Sequence, residues 1–298
     1  MEAESLVIKA LGNRQYRKIE VFKNGWNSVA AAIDRQYIVK IARRPEFSSK
    51  IESEFNIVGS IRKFLRFRIP YPLEKGNIDG CSFALYDFID GAVLCPDSLQ
   101  VLPEPCILKG IKGKAKEKLE FQLSEITSDI LGIVPKSLVV EGIKNHGTPE
   151  AFASSLRSMI KSIAPGYLDQ NEIRVIDDRL ELLDDLVSLD TGTSRFVHGD
   201  LGSWNMIYSN GGIAGIIDWG EAGIGDPAID MMEIIYSFGE ESARRIYSWN
   251  PEMENIFARA SSYLWFSGFF DMEYGIKLGD ADLVERGLKV VRKKIQES

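Results

Sequence analysis

The chain has 298 residues, 45% of them hydrophobic and 27% charged, with a formal net charge of -7. That is the ordinary soluble profile, and it excludes disorder, collagen and low-complexity fibres as descriptions of the whole. No apolar run approaches the roughly 20 residues of a membrane-spanning helix, and the acidic balance speaks against nucleic acid as a partner. The start, with Glu2 and Glu4, has no signal-peptide pattern. Residues 1–90 predict a small, mostly β unit. Tyr16–Lys23, Val29–Asp34 and Tyr37–Ala42 are short and β-branched or aromatic, with a turn-rich connector at 23–28 and a hairpin at Asp34–Gln36. Ser48 or Ser49 caps a helix running to about Phe67, on which Ile51, Phe55, Val58, Ile61, Phe64 and Leu65 fall at helical spacing. Pro70 and Pro72 stop it, and Phe83–Ile89 is another apolar strand.

Asp90-Gly91 marks the expected domain boundary, with a first unit at 1–90 and a mostly helical second unit at 91–298. Residues 96–114 read as an irregular loop. Helices are predicted over Ala115–Leu131, Pro149–Ile163, Gln170–Leu189, Pro227–Phe238, Glu240–Trp249, Pro251–Tyr274 and Ala281–Ile295. One short β region lies among them: Phe196–Val197, Met206–Tyr208 and Ile213–Ile217, with Ser209–Gly212 as the turn. The whole predicts an α+β arrangement with a small β-rich lobe, a larger helical lobe and a cleft between them. Three cysteines, Cys81, Cys95 and Cys106, without CxxC spacing argue against a disulfide scaffold or a cysteine zinc site and fit a reducing cytoplasm. Two histidines, His146 and His198, exclude a His-rich metal site.

Charge is uneven. Residues 1–90 carry net +4 and residues 91–298 net -11. From Phe196 to Ala243 there is no Lys or Arg but there are eight acids, several inside apolar context such as Ile216-Ile217-Asp218-Trp219. Carboxylates in such surroundings are costly unless paired, and a divalent cation would lift that cost.

The strongest signal is His198-Gly199-Asp200-Leu201-Gly202-Ser203-Trp204-Asn205, then Ile217-Asp218-Trp219, then Gly225-Asp226-Pro227-Ala228-Ile229-Asp230. Phosphoryl transfer needs alignment and charge neutralisation more than covalent help. A carboxylate must receive the substrate hydroxyl's proton, for which Asp200 is the candidate, and Asn205 and Asp218 are oxygen donors of the kind Mg²⁺ prefers. The pattern HGDxxxxN, a strand ending in Asp, and GDPxxD resembles the aminoglycoside phosphotransferase family. The resemblance implies a protein-kinase-like two-lobe fold and transfer of the γ-phosphate of ATP or GTP, with Mg²⁺, to a hydroxyl of a small molecule.

It also implies further roles. Lys40 in Tyr37-Ile38-Val39-Lys40-Ile41 becomes the phosphate-binding lysine, with Glu54 as its helix partner and Glu52 as the rival. Asn27 and Ser28 lie in the loop over the phosphates, and Asp87 and Ile89 present the hinge backbone to the purine, with Tyr86 behind it. His198 and Asp230 brace the catalytic loop, and Asp226 caps the helix that Pro227 opens. The acid-rich second lobe implies a small hydroxylated, cationic acceptor, an aminoglycoside or related amino sugar first. Its expected contacts are Glu221, Glu240, Glu241 and Trp265, within an aromatic stretch from Tyr263 to Tyr274. One departure leaves room for a metabolite acceptor such as choline, a thio-sugar or homoserine: Ile234-Ile235-Tyr236-Ser237-Phe238 stands where some members carry acids. Two rivals are a catalytically silent nucleotide-binding module and a protein kinase. The first is disfavoured by the complete Lys40, Asp200, Asn205 and Asp218 set, the second by the short path from Asp218 to Asp226.

Overall fold

The computed structural model describes residues 3–22, 28–95, 106–138, 140–188 and 194–298. The chain forms two units, residues 1–144 with 198–223, and residues 145–197 with 224–298.

The first unit is built on an antiparallel sheet of five strands. Helix α1 (Ala3–Leu11) precedes strands β1 (Ile19–Phe22), β2 (Ser28–Ile33) and β3 (Tyr37–Ala42), then helix α2 (Ser48–Ile61), β4 (Pro72–Ile78) and β5 (Cys81–Asp87). The strand order is β1-β2-β3-β5-β4. The hairpin expected at Asp34–Gln36 is present; Asp34 and Arg35 both take φ 53°, and the Asp34 carboxylate ties back to the amides of Arg17 and Lys18. Strand β5 lies between β3 and β4 and is buried from Cys81 to Tyr86, as a continuous apolar run on a central strand should be.

Helix α2 buries Ile51, Glu54, Ile57, Val58 and Ile61, a stripe at spacings of three and four. It ends at Ile61 in a short 3-10 turn (Arg62–Phe64), earlier than the sequence predicts, because Leu65 is already extended. Helix α1 and strand β4 are among the elements that escaped the sequence reading, with the short strands at Ala92–Val93, Lys144–Asn145 and Gly223–Gly225. Helix α1 is only nine residues long, and β4 begins on Pro72, which a strand tolerates at its first residue on a sheet edge.

The same unit holds β6 (Ala92–Val93), helix α3 (Lys114–Gly132), β9 (Met206–Ser209) and β10 (Gly212–Ile216); β7 (Lys144–Asn145) and β8 (Arg195–Val197) fall between them in sequence. The β9–β10 hairpin, with Asn210 at φ 52°, is the β region expected there. Against the expectation from their number and spacing, Cys95 and Cys106 form a disulfide; Cys81 is free and buried in β5.

The second unit is helical: α4 (Pro149–Ile163), α5 (Gln170–Ser188), α6 (Ala228–Phe238), α7 (Glu240–Ile246), α8 (Met253–Trp265), α9 (Ser267–Leu278) and α10 (Ala281–Gln296), with β11 (Gly223–Gly225) leading into α6. The helix predicted over 251–274 is two, divided at Phe266, where ψ is 4°. Tyr263, Phe266 and Phe269 are all buried, so these three aromatics are core and offer no face to a sugar, while Trp265 is only half-buried. Asp226 accepts the Ala228 amide at 3.0 Å, the helix cap read from the sequence. It also receives a two-pronged bond from Arg259 at 2.7 and 2.8 Å and the Tyr263 hydroxyl at 2.8 Å. No helix among the described residues is long and apolar enough to cross a membrane.

Candidate active site

Within the first unit, strand β3, helix α2, the loop 198–205 and the segment 218–221 bring the charged groups together. Glu54 falls on the buried stripe of α2, where a carboxylate is tolerated only if paired. Its partner is Lys40 on β3: Lys40 Nζ lies 2.7 Å from Glu54 Oε2 and 2.9 Å from Asp218 Oδ1. Burial works against the Lys40 charge, but Asp218 and Glu54 outweigh it and hold the ammonium well above the ordinary lysine range. Glu52, the rival to Glu54, instead accepts from the Ser82 hydroxyl.

Asp218 follows β10 with φ 62° and ψ 64°, the left-handed region that costs an L-residue energy and that Asp tolerates better than most. The conformation is held from below. Trp219 is fully buried and donates from Nε1 to the Ile216 carbonyl at 3.1 Å, and the Ile217 amide donates to the Asn205 carbonyl at 2.9 Å. The Asp218 side chain remains half exposed, and Lys40 lowers its pKa.

His198 is buried against Trp219, with ring centres 4.4 Å apart. Its Nδ1 accepts the Asp200 amide at 3.3 Å, so Nε2 carries the proton and donates to the Ile217 carbonyl at 3.1 Å. The ring thus ties the catalytic-loop candidate to the strand before Asp218, the brace read from the sequence. Burial pushes its pKa down to about 4. A histidine whose folded pKa lies below its unfolded value of 6.5 binds a proton only on unfolding. Its contribution is intact above about pH 6.5 and is lost as pH falls toward 4, up to about 3 kcal/mol. A His198→Gln variant is therefore expected to lose stability less steeply than wild type between pH 6.5 and 4 in denaturant titrations. Equal slopes would contradict a neutral buried ring.

Asp200 has both carboxylate oxygens engaged: Trp204 Nε1 donates to Oδ1 at 3.0 Å and Asn205 Nδ2 to Oδ2 at 2.8 Å. Burial first, and the charge of Asp218 second, push its pKa up to about 8. Trp204 was not singled out in the sequence; its place immediately before Asn205 was the available signal. Gly199 has φ +81°, and a Cβ there would sit 2.3 Å from the Glu221 carbonyl oxygen, so the loop needs glycine at that point.

The donor set suits Mg²⁺. Asn205 spends its amide hydrogens on Asp200, leaving the carbonyl oxygen as its acceptor, and Asp218 offers a half-exposed carboxylate. A cation on Asp218 would also offset one of the causes that raise Asp200, the charge of Asp218 itself.

The remaining expected residues are placed as follows. Ser28 starts β2, while Asn27 lies outside the described residues. The Asp87 carboxylate pairs with Arg68 and the Tyr71 amide, its own amide donates to the Tyr71 carbonyl, and the Ile89 side chain packs on Gly215. Glu221 is held by Lys50 at 3.3 Å and by Lys144. In the helical unit, Asp230 is buried in α6, and Glu241 pairs with Arg245 on the surface of α7. Glu240 and Trp265 line one cavity of about 520 Å³ with Arg179, Asp185 and Lys294.

A strand lysine paired to a helix glutamate, facing a loop that carries an aspartate and asparagine five apart, is the arrangement of a protein-kinase-like phosphotransferase. Comparison with known proteins bears out the resemblance: the model of the phosphotransferase enzyme family matches residues 148–249. The chain is 29% identical over 240 residues to viomycin phosphotransferase of Streptomyces vinaceus, covering 76% of this chain and 77% of that one. Among solved structures it resembles the GDP complex of wild-type aminoglycoside 2'-phosphotransferase-IIIa, with TM-score 0.84, 17% identity, and 99% and 97% of the two chains covered. It also resembles a GDP and kanamycin complex of an APH(2'')-type enzyme (TM-score 0.82, 18% identity, 99% and 98% covered) and macrolide 2'-phosphotransferase type I (TM-score 0.71, 18% identity, 97% and 96% covered).

Proposed function

We propose that the protein transfers the γ-phosphate of ATP or GTP to a hydroxyl of a small molecule, an aminoglycoside or related amino sugar first. The observation that carries this reading is the joint placement of Lys40, Glu54, Asp200, Asn205 and Asp218 in one unit. Asp200 receives the proton of the acceptor alcohol as its oxygen attacks the γ-phosphorus. Lys40, oriented by Glu54, holds the α- and β-phosphates, and Ser28 and Asn27 cover them. The hinge backbone at Asp87 and Ile89 meets the purine edge. Asn205 and Asp218 would hold Mg²⁺, which when bound neutralises charge on the phosphates. Residues 1–90 are the nucleotide-binding lobe in this reading, and residues 91–298 supply the acceptor's surroundings.

The acceptor contacts are Glu240 and Trp265, a carboxylate for an amino group and an indole for a sugar face within one cavity. The relatives support the acceptor class: one is a viomycin phosphotransferase and another was solved with kanamycin. A second reading, a metabolite alcohol of lower charge, is favoured by Glu221, whose carboxylate is already matched by Lys50 and Lys144.

The test is nucleoside diphosphate release by purified protein with Mg²⁺ and ATP or GTP, against viomycin, kanamycin, a macrolide, choline and simple sugars. Stimulation by viomycin or kanamycin is the expected outcome. Stimulation by choline or a simple sugar alone would establish the metabolite reading instead. Nucleotide binding without turnover under any acceptor would favour the silent module.

A further inference from the structure

The geometry points to Trp204 as a positioning residue for the catalytic carboxylate, with Gly202 as the cut-out that lets it do so. This inference rests on Asp200 being the base. A carboxylate acting as base must present one oxygen to the incoming hydroxyl in a fixed rotamer, and a misplacement of an ångström is costly. Asn205 fixes Oδ2, yet its side chain also bonds the Asp200 carbonyl, so it alone leaves the other oxygen undirected. The Trp204 indole supplies the second hold, donating to Oδ1 at 3.0 Å.

The indole reaches that place only because residue 202 has no side chain. A Cβ on Gly202 would fall 2.1 to 2.3 Å from three atoms of the indole ring, including Cε2, which is bonded to the donating nitrogen. Relief of that overlap moves the ring, and with it the N–H. Nothing in the backbone demands glycine here, since φ is -90°. The two residues therefore act as one device, and alanine at 202 should injure catalysis only through the indole.

The test uses slow hydrolysis of MgATP or MgGTP, with water in place of the alcohol. Trp204→Phe keeps an aromatic ring and removes the donor; it is expected to lower kcat about tenfold while the nucleotide KM stays within about twofold. Gly202→Ala is expected to do the same, and the double variant to be no worse than Trp204→Phe alone, because both remove one contact. In ¹⁵N–¹H spectra the Trp204 indole resonance, assigned by its loss in Trp204→Phe, should move upfield in Asp200→Asn. A kcat within twofold of wild type in Trp204→Phe, additive losses in the double variant, or an indole resonance indifferent to residue 200 would each overturn the inference. If Asp200→Asn itself retains wild-type hydrolysis, the assignment of the base fails, and this inference with it. Loss in Asp200→Asn with an unaffected Trp204→Phe sinks the inference alone.

Discussion

Asp200→Asn is expected to lower kcat by about a thousandfold, in the range general-base removal produces, while nucleotide affinity stays within about threefold. The substitution is nearly isosteric. Its carbonyl oxygen can still accept from Trp204 or Asn205, and the brace from the Asp200 amide to His198 is untouched because it comes from the backbone. What disappears is the acceptor for the alcohol's proton. Lys40, Glu54 and Asp218 do not bond to the side chain of residue 200 in the structure, so the nucleotide end should survive. Single-turnover kinetics together with nucleotide titration separate the two effects; a kcat within tenfold of wild type would remove Asp200 from the chemistry.

Arg259→Met is expected to cost about 3–5 kcal/mol of stability, the usual effect of deleting one partner of a buried ion pair. Arg259 and Asp226 are both fully buried, and the guanidinium bonds both carboxylate oxygens. Without it, Asp226 keeps the Ala228 amide and the Tyr263 hydroxyl but has no countercharge. Methionine fills similar volume, so the loss is chiefly electrostatic. A companion Asp226→Asn should restore part of the loss, because a neutral amide needs no cation. Urea denaturation of the single and double variants measures both; a single-variant loss under 1 kcal/mol would mean that the pair contributes little beyond packing.

The proposed catalytic end could be read as a group in the sequence because its residues come in fixed local spacings. Asp200 and Asn205 sit five apart on one loop, Asp218 ends an apolar strand, and Asp226 precedes a proline that opens a helix. Lys40 and Glu54 were legible only through the family resemblance: the stripe read from the sequence, Ile51, Phe55, Val58 and Ile61, left Glu54 out, and it is the structure that buries it against Lys40. The partners of Asp226 were not legible, since Arg259 and Tyr263 lie 33 and 37 residues away and only the fold brings them together.

The residues expected to meet the acceptor read least well. Glu221, Glu240 and Glu241 looked alike as acids in a basic-free stretch, yet one bridges two lysines, one lines a cavity and one pairs on its own helix. The aromatic run from Tyr263 to Phe269 has the composition of a sugar platform, but its burial makes most of it core. Strand β4 was hidden by its opening proline, which marks an edge strand as readily as the end of a helix. The Cys95–Cys106 pair was hidden because an odd count says nothing about which two meet.

The measurement that bears most directly on the central claim follows label from the γ-position of ATP or GTP. Purified protein with Mg²⁺ and the viomycin, kanamycin and metabolite panel should move that label into a phosphate ester of one acceptor, and Asp200→Asn should prevent it. Label found only in inorganic phosphate, or only on protein substrates, would contradict phosphoryl transfer to a small-molecule hydroxyl.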